Sequence, residues 1–275
     1  MFQILQEMIS YSFLTRALVV GSLVSLCAAL LGVTLVLKKY AMIGDGLSHV
    51  GFGALAVASA LNMQPLYVTI PVVVIAAFFL LRISENSAIK GDSAIALISS
   101  GSLAIGVIVA SVNGTNTDLS NYLFGSILSV SKKDEIICIA VSIVVVLIYI
   151  LFYHRIFAIT FDENFAKATG LHTQAYNVVI AALTAITIVL GMRLMGTLLI
   201  SSLIIFPSLS AMRVFKHFHF VVIGAAVCSV LCFFAGMMAS YCYELPSGAS
   251  VVLVNMFALA VCAVVGSIIN RLKKH

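Results

Sequence analysis

Charge is what this 275-residue chain has least of. Asp, Glu, Lys and Arg make up 9% of it, while 62% is hydrophobic and the mean hydropathy is +1.18. A water-soluble domain carries roughly 25% charged and about 45–50% apolar residues, so that class is excluded. Signatures of catalysis are also missing. There is no Gly-x-x-x-x-Gly-Lys-Ser/Thr loop to cradle phosphates, so ATP hydrolysis by this chain is not expected. There is no His-Glu-x-x-His motif for a hydrolytic zinc and no Cys-x-x-Cys for a redox site. Five of the six cysteines read as small apolar fillers within spans; the i,i+4 pair Cys228 and Cys232 has the spacing to bind a soft metal, and packing is the favoured reading for it. The net charge of +5 follows from the loops and does not point to nucleic acid. Met1–Ser12 carries Glu7 and lacks the basic start of a cleavable signal, so the first apolar run is expected to be retained.

What is present is a series of apolar runs of about 20 residues, each long enough to cross ~30 Å of hydrocarbon. They mark nine expected membrane helices, at 13–37, 41–61, 65–82, 92–112, 134–153, 174–192, 195–212, 219–241 and 248–270. The fold class is therefore all-α and polytopic, one transmembrane domain over 1–275. Eight crossings are the alternative, because 174–192 and 195–212 have a very short connection. The positive-inside rule orients the set. With the N-terminus outside, eleven of the 15 basic residues fall inside, and Arg16, Lys132, Lys133 and Arg193 fall at or near outer ends. The C-terminus is expected in the cytoplasm.

Within this apolar pattern Asp45 and His49 stand one helical turn apart. An i,i+4 pair projects from one helix face. A carboxylate and an imidazole there can share a divalent metal ion, and ionisable groups in a membrane are costly enough to mark function. Gly44, Gly46, Gly51 and Gly53 flank the pair; they suit close helix packing or a loosened helix with free carbonyls. Ser48 adjoins His49 but points to a different face, which argues against a nucleophile–base pair.

The longest polar stretch, His154–Thr173, is expected in the cytoplasm. Its segment Phe161–Gly170 reads as a short helix, with Asp162 as N-cap and Gly170 as the residue that stops it. Phe161, Phe165, Ala166 and Ala168 give it an apolar side. The residues alone leave two readings, a helix lying on the bilayer surface and a knob for a cytoplasmic partner. His154, His172, His217, His219 and His275 fall in cytoplasmic loops or at the end and read as solvated or headgroup residues. Asp92 reads as an N-cap, and Arg193 as a residue at an outer helix end.

Together these residues resemble the membrane permeases of ABC-type zinc/manganese importers, over nearly the whole chain. The segment Lys38–Gly51 is similar to the family pattern of a basic pair, Met, then Gly-Asp-x-Leu-Ser/Ala-His. Gly91–Ile95, Asp118–Leu128, Phe161–Gly170, Met195–Pro207 and Leu245–Gly248 fit as well. Gly91 departs from the pattern where an acidic residue is common, and Ala249 where Pro is common. The resemblance implies a homodimer enclosing one path in a bacterial cell membrane. It implies two copies of a separate cytoplasmic ATPase that binds the ATP, and an extracytoplasmic metal-binding protein that delivers the ion. Asp45 and His49 would meet the metal. Phe161, Asp162, Glu163, Phe165, Ala166 and Gly170 would belong to the coupling helix that docks on the ATPase. No cofactor is expected on this chain; the transported ion is zinc or manganese, and Gly191–Leu203 looks more like the zinc branch.

Rival readings are a secondary metal/proton transporter, an intramembrane hydrolase and an ABC permease for a metal chelate. Proton coupling usually needs more intramembrane carboxylates than 134–270 offers. An Asp–His pair favours a bare ion over a bulky chelate.

Overall fold

The computed structural model of the protein describes residues 10–86, 91–113 and 132–272. Among them it is all helix: α1 (Ser12–Leu37), α2 (Ala41–Ala60), α3 (Pro65–Asn86), α4 (Gly91–Val112), α5 (Lys132–Leu151), α6 (Tyr153–Phe161), α7 (Glu163–Ala168), α8 (Thr173–Met195), α9 (Thr197–Val214), α10 (Phe218–Tyr243) and α11 (Ser247–Leu272). Every expected span coincides with a helix. By length and apolarity 7 of the described helices can cross a membrane alone, and the bent pair Glu135–Leu151 and Tyr153–Phe161 adds an eighth. The remaining expected span, 65–82, corresponds to α3, whose apolar part, Tyr67–Ile83, is shorter and contains Pro71. This is a multi-pass membrane protein. The segments 1–9, 87–90 (with Lys90), 114–131 (with the motif Asp118–Leu128) and 273–275 (with His275) lie outside the described residues.

Burial sorts the helices into an inside and an outside. α1 and α2 are largely buried; α4 and α11 bury little and present Leu97, Ile105, Ile108, Leu253, Phe257 and Val264 outward. In water such apolar surface would demand a partner; in hydrocarbon it is the ordinary exterior. Small residues let the inner helices touch backbone to backbone. A Cβ on Gly32 of α1 would lie 2.1 Å from the carbonyl oxygen of Ile204 in α9. Buried Ser and Thr hydroxyls return to carbonyls three or four residues back, as Thr184 to Ile180 at 2.7 Å and Ser208 to Ile204 at 2.9 Å. Such bonds satisfy polar groups where water is absent.

Two ion pairs mark opposite ends of the bundle. Arg16 on α1 meets Glu135 on α5 at 3.7 Å, and Lys38 beyond the other end of α1 meets Glu163 on α7 at 3.3 Å. Residues assigned to one side of the membrane by charge are thus neighbours in space.

The polar stretch after α5 differs from expectation. The chain bends by 68° near Phe152 and continues as helix to Phe161. Phe161 thus ends α6 and does not open the short helix. α6 buries Ile156 and Ile159, while Phe157 and Phe161 pack on Phe218 at ring-centre distances of 5.1 and 5.8 Å. An amphipathic face, not a long apolar run, holds α6. Between α8 and α9 the connection is Gly196 alone, at φ +85° and ψ 162°. Only glycine adopts that backbone readily.

Candidate metal site and cytoplasmic helix

α2 is a closed rod. At its start, the α1–α2 corner has Lys39 at φ +63°, with the Lys39 amide donating to the Val36 carbonyl and the Tyr40 amide to the Leu35 carbonyl. At its end, Asn62 takes φ +54°, its amide donating to Ser59 and that of Met63 to Ala58. Both are Schellman closures, which satisfy the last carbonyls of a helix. Asn tolerates the left-handed region; Lys pays roughly 1–2 kcal/mol to enter it.

Three neighbouring helices clasp α2 at its glycines. A Cβ on Gly44 would meet Ile204 of α9, on Gly46 Ile95 of α4, on Gly51 Met192 of α8, and on Gly53 the Ser102 carbonyl oxygen of α4 at 2.6 Å. Gly53 is the least replaceable, because backbone cannot move aside as a side-chain tip can. Of the two uses expected for these glycines, close packing is the one realised. In the first half of α2 this clasp leaves a narrow accessible line through Met42, Asp45 and His49.

The structure brings the predicted pair together. His49 Nε2 lies 3.6 Å from Asp45 Oδ2, with the His49 side chain 23% exposed and that of Asp45 42%. That gap exceeds a good hydrogen bond. Metal bonds of about 2.0–2.2 Å to both atoms would span it with an angle of roughly 120° at the ion. His49 Nδ1 is buried with no hydrogen-bond partner among the described residues. No group of three His, Cys, Asp or Glu side chains suited to a metal occurs among those residues. Ser48 is fully buried and its hydroxyl donates to the Asp45 carbonyl at 2.7 Å, which ties it into the helix backbone.

The short helix α7 has the caps expected of it. The Phe165 amide donates to Asp162 Oδ1 at 2.9 Å. Gly170, at φ +86°, donates to the Lys167 carbonyl and Leu171 to that of Ala166, another Schellman closure. Its sides have different surroundings. Phe165 is 65% exposed and Phe161 is exposed beside it, whereas Ala166 is fully buried. Glu163 turns inward and both its oxygens are engaged. Oε2 meets Lys38 Nζ at 3.3 Å; Oε1 meets Lys167 Nζ at 3.1 Å and Asn177 Nδ2 at 3.3 Å. Burial works against ionisation of Glu163, but Lys167, Lys38 and Asn177 outweigh it and hold the carboxyl below its ordinary 4.5.

Sequence reasoning missed Lys38 and Asn177 as site residues. Lys38 was read as an inside charge and as part of the basic pair that opens the family pattern, with no partner assigned to it. Asn177, buried in an otherwise apolar run, is the kind of signal that finds such a residue. The histidines at 154, 172, 217 and 219 gather no metal-binding group among the described residues; His219 Nδ1 sits 3.3 Å from the Tyr153 hydroxyl. Asp92 lies in α4, whose described residues begin at Gly91.

With this geometry in place, comparison with known proteins is informative. Residues 10–266 match the ABC 3 transport family. The chain is 31% identical to the manganese transport system membrane protein MntC of Halalkalibacterium halodurans, over 92% of this chain and 88% of that one. It is 30% identical to the high-affinity zinc uptake system membrane protein ZnuB of Haemophilus influenzae, over 90% of this chain and 95% of that one. Among solved structures it resembles PsaBC from Streptococcus pneumoniae in complex with Fab, with a TM-score of 0.85, 27% identity and 94% of each chain covered.

Proposed function

The chain belongs to the ABC 3 transport family, and from that premise we propose that it is the permease subunit of an ATP-driven importer for a divalent transition-metal ion, zinc first and manganese second. In this reading the whole chain is one transmembrane permease domain. Two copies enclose one path, a separate cytoplasmic ATPase docks on α7 and hydrolyses the ATP, and an extracytoplasmic metal-binding protein delivers the ion.

The observation that carries the reading is the accessible line of α2. A carboxylate 42% exposed on a membrane-spanning helix is too costly to leave against hydrocarbon. A second copy facing it would cover the line and turn it into a path. That copy would bring its own Asp and His, making two oxygen and two nitrogen donors. Four mixed donors match the tetrahedral preference of zinc, whereas manganese favours more oxygen ligands. The relatives named for zinc and for manganese are about equally similar to this chain, so the order of the two ions rests on the likeness of Gly191–Leu203 to the zinc branch, with the donor set in support. For the docking role, the support is Phe165, a large apolar side chain 65% exposed on a helix capped at both ends. An exposed aromatic on a rigid element is the usual form of an interface anchor.

The test is reconstitution in vesicles with the ATPase and the delivery protein. ATP-dependent zinc uptake, with manganese taken up less well, is expected, and the chain alone should hydrolyse no ATP. Uptake that proceeds without ATP and follows a proton gradient would replace this reading with the secondary transporter.

A further inference from the structure

We infer that Lys38 is a positioning residue that ties the short cytoplasmic helix α7 to the start of the helix carrying Asp45 and His49; this rests on the permease reading above. Lys38 caps the end of α1 and its side chain is only 9% exposed. A buried ammonium is costly unless it is paired, and this one is. Its Nζ donates to Asn177 Oδ1 at 2.6 Å and lies 3.3 Å from Glu163 Oε2. Asn177 in turn donates to Glu163 Oε1 at 3.3 Å. One cation therefore joins three elements: the α1–α2 corner, the first residue of α7, and the first turns of α8.

The path from this tie to the metal pair is short and stiff. Between Lys38 and the first residue of α2 stand only Lys39 and Tyr40, fixed by the Schellman closure. Asp45 follows the first residue of α2 by four positions, about 6 Å along the axis. α2 is held along its length by its glycine contacts and cannot easily bend to absorb a push at its end. On the other side of the tie, Ala166 is packed into the protein, so α7 and Glu163 move together. Greasy packing alone would hold α7 in place, but it is not directional. A lysine with fixed amide and carboxylate partners resists sliding of α7 past the corner, because its interactions fall away steeply with distance and angle. A displacement of α7 by the ATPase is thereby passed to the head of α2, and so to Asp45 and His49.

The test uses the assembled importer in vesicles and reads metal uptake and ATP hydrolysis on the same preparation. Replacing Lys38→Met should leave the complex assembled and hydrolysing ATP at about the wild-type rate, while uptake falls about tenfold, so ions moved per ATP drop. Lys38→Arg, which keeps the charge and donors, should retain most of the uptake. The exchange Lys38→Glu with Glu163→Lys, made together with Lys167→Gln so that the new lysine meets no like charge, should recover a large part of it, because the Asn177 amide can turn to offer a donor to one partner and an acceptor to the other. Uptake near wild type in Lys38→Met would overturn the role. So would uptake and hydrolysis falling together in step with lost assembly, which is what a residue that only holds the fold would give. Failure of the wild-type complex to take up metal with ATP would overturn the permease reading itself, and this role with it.

Discussion

α2 and α7 are mirror images in polarity. α2 lies in apolar surroundings and leaves accessible a line that carries Asp45 and His49. α7 lies in a polar stretch and leaves accessible Phe165, beside Phe161, while its charged Glu163 turns inward. Each displays the chemistry its surroundings would normally hide. A carboxylate facing lipid and a phenylalanine facing water both carry a cost. Under the proposed function both costs would be lifted by a partner: an ion and a second chain for α2, an apolar groove for α7. In that proposal the difference between them divides their work, the one to the cargo and the other to the motor.

The sharpest way to break this contrast is to make the exposed side of α7 polar. Phe165→Asp leaves the Asp162 cap and the Gly170 closure untouched, so the local fold should persist. Loss of a central aromatic anchor costs about 2–4 kcal/mol of binding. ATPase capture on purified permease should therefore fall about a hundredfold, with uptake lost alongside it. Capture and uptake near wild type would show that α7 is not the docking element.

A smaller effect sharpens the inward side of the same helix. The Glu163 carboxyl is held below its ordinary 4.5 in the folded protein. The stabilisation it supplies is therefore complete above that ordinary value and is lost as pH falls through the lowered one. Between neutral pH and about pH 4 the wild-type protein in detergent should lose a degree or two more of melting temperature than Glu163→Gln, the effect being limited by partial solvent screening. Equal losses in the two proteins would mean that the network around Glu163 adds nothing to stability.

Much of this architecture was legible in the sequence, and the reasons are physical. Long apolar runs can do little else in lipid than form helices, so each expected span met one. The Asp45/His49 pairing follows from an i,i+4 spacing, and the α7 caps from Asp162 and Gly170, residues whose preference for those positions is local. The helix α6 was missed because Tyr153–Phe161 carries His154 and Arg155 among its apolar residues and is held by an aromatic cluster around Phe218, far away in the chain. The corner at Lys39 was hidden because no glycine announces it. The Lys38–Glu163 contact joins residues 125 positions apart, a proximity that no local pattern encodes. Likewise the clasp that leaves one line accessible in the first half of α2 depends on three other helices, and the glycines alone did not say which face each would seal.

The central claim is that Asp45 and His49 handle the ion together, and uptake of radiolabelled zinc and manganese at matched expression tests it most directly. Asp45→Asn and His49→Ala should each reduce uptake of both ions to background while the protein remains folded and still captures its ATPase. Near-normal uptake of both ions by both variants would contradict the account and leave the pair as a brace between helices.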